Sequence, residues 1–128
     1  HYNKSLKELS FNKKKLNANL LRYGCFIISS TVTFNKICFN TINGFNEKLK
    51  FTSDYDFFIK LSEKFDFYYI DTIINKWRSH SNQSTVTNKR IHNKELAYLL
   101  INSVFNSKIP YAIKLYVIIK ALYYFIKF

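Results

Sequence analysis

Apolar positions recur at helical spacing in four stretches, separated by short β-branched or polar runs. Within residues 4–22, Leu6, Leu9, Leu16, Leu20 and Leu21 fall near one face, predicting one or two short helices around Lys13-Lys14-Lys15. Thr31-Val32-Thr33-Phe34 is β-branched and predicts a buried strand at about 31–35, followed by a short helix over 35–40. Ile42-Asn43-Gly44-Phe45-Asn46 is the clearest turn, with Gly44 supplying either a positive φ or a close backbone approach. A helix over 54–64 follows, capped by Ser53 or Asp54, burying Phe57, Phe58, Leu61 and Phe65 and turning Lys60, Glu63 and Lys64 to water. Strands are expected at 67–70 and 73–77, and a polar loop at 82–88. A helix over 89–106 has Ile91, Leu96, Leu99, Leu100, Val104 and Phe105 as candidate core, and Pro110 opens a last helix at its first position.

Composition adds constraints. The chain has 128 residues, 48% hydrophobic, with 13 Phe and 10 Tyr, so it can bury a core and is not disordered. Two Gly and one Pro leave most of it in regular elements. Twenty Lys and Arg against eight Asp and Glu give +12. Such a charge concerns partners rather than fold: nucleic acid, anionic lipid or phosphorylated small molecules, unless it reflects the drift of an AT-rich genome. Cys25 and Cys38 form no C-x-x-C pair and read as buried, reduced thiols of a cytosolic protein. The polar start, with Lys4, Lys7 and Glu8, carries no secretory signal, and His1 in place of Met points to a fragment.

The candidate chemistry lies in two clusters. At a helix N-terminus Asp54 is held ionised by backbone N–H groups and the dipole; it is either a helix cap or, in a cleft, an acceptor of an alcohol proton. Asp56 reads as a structural acid of the first turn. Arg78 and His80 share one face of an extended segment and suit a diphosphate or, through His80, a metal; the alternative is an exposed strand end. Trp77 reads as core and His92 as helix surface. The run 13–15 is either a phosphate contact or a solvated turn, and Ser29-Ser30-Thr31 either a pocket floor or a plain junction.

Taken in order, Ser29–Phe34, Asn43-Gly44-Phe45-Asn46-Glu47, Ser53-Asp54-Tyr55-Asp56 with Phe57–Leu61, Tyr69-Ile70-Asp71 and Lys76-Trp77-Arg78-Ser79-His80 resemble the C-terminal half of family 2 glycosyltransferases of the GT-A fold, over roughly residues 20–86. The resemblance implies an α/β, partial GT-A (Rossmann-like) domain over 1–86, with a helical C-terminal extension over 87–128. It implies inverting transfer of a sugar from a nucleotide-sugar donor to a saccharide or lipid-linked acceptor, in cell-surface polysaccharide or lipopolysaccharide assembly. Asp54 then matches the general base, Arg78 and His80 the segment over the donor diphosphate and its Mg2+ or Mn2+, and Gly44 and Phe45 the acceptor loop. Ser53, Asn43, Asn46 and Lys60 depart from the family's usual residues, and its upstream Asp-x-Asp half is missing, so the isolated chain is expected to be inactive and to bind no nucleotide sugar tightly.

Residues 109–128 hold only Lys114, Lys120 and Lys127 as charges. That pattern predicts a helix lying at a membrane interface or packed on the domain rather than spanning. The expected location is cytoplasmic, with the inner face of the plasma membrane as the surface such a helix would meet. A rival reading is a non-catalytic basic module for membrane or nucleic acid, and a third is a degenerate transferase half. Lysines spread along the whole length, and the lack of aromatic-interleaved RNA signatures, weigh against nucleic acid.

Overall fold

The structure, a computed structural model, describes residues 9–76 and 88–127. It is mostly helical. Strand β1 (Leu9–Phe11) leads into α1 (Lys13–Tyr23), then come a single 3-10 turn at Ser29–Thr31, α2 (Lys36–Thr41), α3 (Ser53–Lys64), β2 (Phe67–Tyr69), α4 (Lys89–Asn106) and α5 (Tyr111–Ile126). The two three-residue strands pair antiparallel, Leu9 opposite Tyr69 and Phe11 opposite Phe67.

This corrects the α/β expectation. A Rossmann-like domain needs parallel strands joined by crossover helices, and among the described residues the only sheet is this antiparallel ribbon. The strand expected at 31–35 is absent: Thr31 folds back, its hydroxyl donating to Ile28 O at 2.7 Å, and the chain then runs irregularly into α2. Residues 73–76 are also irregular. β-branched residues favour strands where a neighbouring strand completes the ladder, and among the described residues neither stretch has one. Leu9, assigned to a helix by spacing, pairs in β1 instead.

The helices follow local chemistry. Asn12 caps α1, its side chain accepting from Lys14 N at 3.0 Å, while Asp66 accepts from Lys13 N at 2.8 Å. Gly24, at φ 101°, ends the helix with its N–H on Leu20 O. Asn35 caps α2 through Ile37 N. Pro110 stands at the cap of α5, one residue ahead of the expected position.

One core joins α1, α3, α4 and α5. Leu20, Phe57, Leu100 and Val117, one from each helix, are fully buried. Burying such side chains contributes about 1.5–3 kcal/mol each. Between α1 and α3 the buried Asn17 amide donates to Ile59 O (3.2 Å) and Ser62 Oγ (3.0 Å). Of the core expected on α4, Leu99, Leu100 and Val104 are buried, but Ile91 (47% exposed) and Phe105 (79%) face outward. On α3, Phe57, Phe58 and Leu61 are buried and Phe65 is half-buried. Glu63 and Lys64 face water, and Lys60, its side chain 38% exposed, pairs with Asp56 at 2.6 Å.

Candidate functional site

The C-terminus of α1, the N-terminus of α3 and the inner faces of α4 and α5 enclose a cleft of about 330 Å³. Asp54 lines it, together with Gly24, Cys25, Tyr55, His92, Lys120 and Tyr124. Asp54 is the second residue of α3, and its Oδ1 accepts from the next backbone amide, Tyr55 N, at 2.8 Å. It is not the cap, nor is Ser53: Thr52 holds that position and makes no side-chain cap bond.

The N-terminus of α3 is held from another helix. The Glu95 carboxylate of α4 accepts from Lys50 N (2.8 Å), Phe51 N (2.9 Å), Thr52 N (3.1 Å) and Thr52 Oγ1 (3.2 Å). A carboxylate there satisfies otherwise orphaned donors and complements the helix dipole. Sequence reading missed Glu95, although it is the only acidic residue in the 18 residues of α4.

The α1 end of the cleft is built on its last carbonyls. Lys120 Nζ donates to Arg22 O (3.2 Å) and Leu21 O (3.4 Å), and desolvation lowers its pKa. Tyr55 reaches beneath, its hydroxyl donating to Leu20 O at 2.6 Å. Burial, and then the neighbouring Cys25 and Tyr124, push the Tyr55 phenol far up, so it stays neutral. Cys25 is exposed over its surface as a whole, and Cys38 is half-buried, so the expectation of two buried thiols is corrected. Desolvation in the cleft and the charge of Asp54 raise the Cys25 thiol to about 11. A thiol so raised is largely protonated near neutral pH, so Cys25 presents little thiolate to the cleft. His92, expected as plain helix surface, is half-buried in the cleft wall; its place follows from facing the same way as Leu96, four residues on.

Of the other expected site residues, the two that are described, Gly44 and Phe45, are not brought to Asp54. Gly44 and Phe45 do not line the cleft. Asn43 (φ 60°) and Gly44 (φ 69°) turn the chain out of α2, with Gly44 N on Phe39 O at 3.0 Å. Both uses expected of Gly44 occur at once, since a Cβ there would also stand 2.7 Å from Phe39 Cζ. Phe45 stacks on Phe57 with ring centroids 4.3 Å apart and meets the edge of Phe39. Arg78, His80 and Trp77 lie outside the described residues. Among the described residues no three His, Cys, Asp or Glu side chains converge as a metal-binding group. The divalent metal is therefore an implication of the resemblance only.

The cleft offers one carboxylate able to take a proton, an imidazole able to donate or accept, and aromatic walls from Tyr55, Tyr124 and Phe51. Comparison of the chain with protein-family models, with curated proteins and with solved structures finds no match.

Proposed function

We propose that this chain contributes the acceptor side of a sugar-transfer site, with Asp54 as general base. The acceptor hydroxyl attacks the anomeric carbon of a nucleotide-sugar, a new C–O bond forms, and the bond to the diphosphate oxygen breaks with its electron pair. Asp54 takes the hydroxyl proton, and the anomeric configuration inverts. Supporting this is the position of Asp54, the one residue the mechanism requires, in a cleft of sugar size with aromatic walls. Aromatic faces suit the apolar faces of sugar rings, and an ionised carboxylate at hydrogen-bond reach suits an acceptor hydroxyl. His92 stands where it can orient the acceptor. Arg78 and His80 keep their proposed role toward the donor diphosphate, and the cytoplasm is the proposed compartment because nucleotide-sugar donors are made there.

The test is transfer from radiolabelled UDP- or dTDP-hexoses by the protein carrying this chain, with Asp54→Asn beside the parent. Loss of a general base lowers turnover on the order of 100-fold or more. Asp54 is half-buried and, among the described residues, its side chain bonds only to its own neighbour, so the variant is expected to fold. Near-normal turnover by a folded Asp54→Asn protein rejects Asp54 as the base.

A further inference from the structure

Helix α5 is built inside out. Its inner stripe, centred on Val117 and Ala121, is buried against α1 and α4. Every exposed residue on the helix is apolar or tyrosine: Leu115, Ile119, Leu122 and Phe125 are 53–59% exposed, Ile126 81% and Tyr111 84%. The helix carries no acid, and its two lysines, Lys114 and Lys120, are half-buried at the borders between the two faces. Lys127, just beyond the helix, lies over the Tyr123 ring at 4.8 Å. An ordinary surface helix turns its polar side outward, and monomers rarely leave a contiguous apolar face of this extent bare.

We infer that the outer face of α5 docks flat onto an anionic lipid surface, independently of any transferase activity. Apolar side chains at the centre, tyrosines with polar tips, and Lys114 and Lys127 along the flanks are the distribution that lies in the headgroup boundary, where Lys stems snorkel outward. The +12 charge of the chain attracts such a surface. Charge also selects against the obvious competitor, a second copy. Two α5 faces packed together would bring their lysines side by side with no acid on either helix to neutralise them, whereas anionic headgroups supply the missing charge. The mode is surface docking, since no helix among the described residues is long and apolar enough to cross a membrane.

The experiment is flotation of the purified chain with vesicles of phosphatidylglycerol and phosphatidylcholine, and with phosphatidylcholine alone. The comparison protein is Leu115→Ser/Ile119→Ser/Leu122→Ser, all at exposed positions, with unchanged circular dichroism as the folding control. The parent is expected to float with anionic vesicles, less so at high salt or on neutral ones, and the triple variant to bind at least ~10-fold more weakly. Lys114→Glu/Lys127→Glu is expected to weaken binding to anionic vesicles alone. The inference is overturned if the parent stays unbound, if the folded triple variant floats equally well, or if sedimentation shows a parent dimer that the triple variant converts to a monomer without either binding vesicles.

Discussion

Replacing Glu95 with alanine tests how the N-terminus of α3, and with it Asp54, is held. The carboxylate accepts three consecutive backbone amides and the Thr52 hydroxyl. Hydrogen bonds to a charged acceptor contribute about 1.5–3 kcal/mol when buried and far less where water can substitute. Lys50 is exposed, so water replaces its bond at little cost. Phe51 is half-buried and Thr52 is 1% exposed, so their donors lose most. Counting about 1 kcal/mol for each of these three donors gives a loss of roughly 2–4 kcal/mol for Glu95→Ala. Glu95→Gln keeps one carbonyl oxygen, which can turn to Phe51 and Thr52, and is expected to cost about half as much. Urea unfolding followed by circular dichroism reads both, and a loss of this size moves the midpoint by about 1–3 M at the slope usual for small domains. Native-state amide exchange adds location: Phe51 and Thr52 should lose protection before the middle of α3 does. A Glu95→Ala unfolding free energy within about 0.5 kcal/mol of the parent would refute the reasoning, as would unchanged protection at those two amides.

Two further outcomes follow from the cleft and the turn. Raising the Cys25 thiol from its ordinary 9.0 to about 11 cuts the thiolate fraction at pH 8, partly offset by the greater nucleophilicity of a more basic thiolate, so iodoacetamide should modify it on the order of 10-fold more slowly than a free cysteine. Its reaction should climb only as pH approaches 11, and Asp54→Asn, by removing a neighbouring negative charge, should lower the Cys25 pKa and speed alkylation; an unchanged rate would mean the two groups do not face each other. Gly44→Ala places a Cβ against the Phe39 ring at a positive φ, at a cost of about 1–3 kcal/mol by urea unfolding, and a neutral result would show that the turn relaxes freely.

The long helices were legible because their apolar spacing is strong and their ends are marked: α3, α4 and α5 lie within a residue or two of where the pattern puts them. The strands were not. Thr31-Val32-Thr33 has strand composition but no neighbour to complete a ladder, and Leu9 has helical spacing but a partner in Tyr69. Pairing is a long-range property that neither window contains, so the Rossmann-like expectation, which rested on motif order, was lost with it. At the site, Asp54 was legible as a first-turn acid. Glu95, His92 and Lys120 were not, because Glu95 reaches the start of α3, and His92 and Lys120 reach the cleft, from helices distant in sequence. Phe45 was read as an acceptor contact from its place after Gly44, and the structure gives that ring to the Phe57 stack.

Helix α5 is also a partition one helix thick. Its inner border presents Lys120 and Tyr124 to the cleft, while Leu115, Ile119 and Leu122 look the other way. A helix with its side chains measures roughly 10–12 Å across, so anything seated on the outer face sits about that far from the space beside Asp54. An acceptor tethered in that surface would need only a short linker to reach around the partition, and one free in solution would gain nothing from it. Tilting or rolling α5 on its bed would shift Lys120 and Tyr124 directly, making occupancy of the outside readable on the inside as a change in cleft shape.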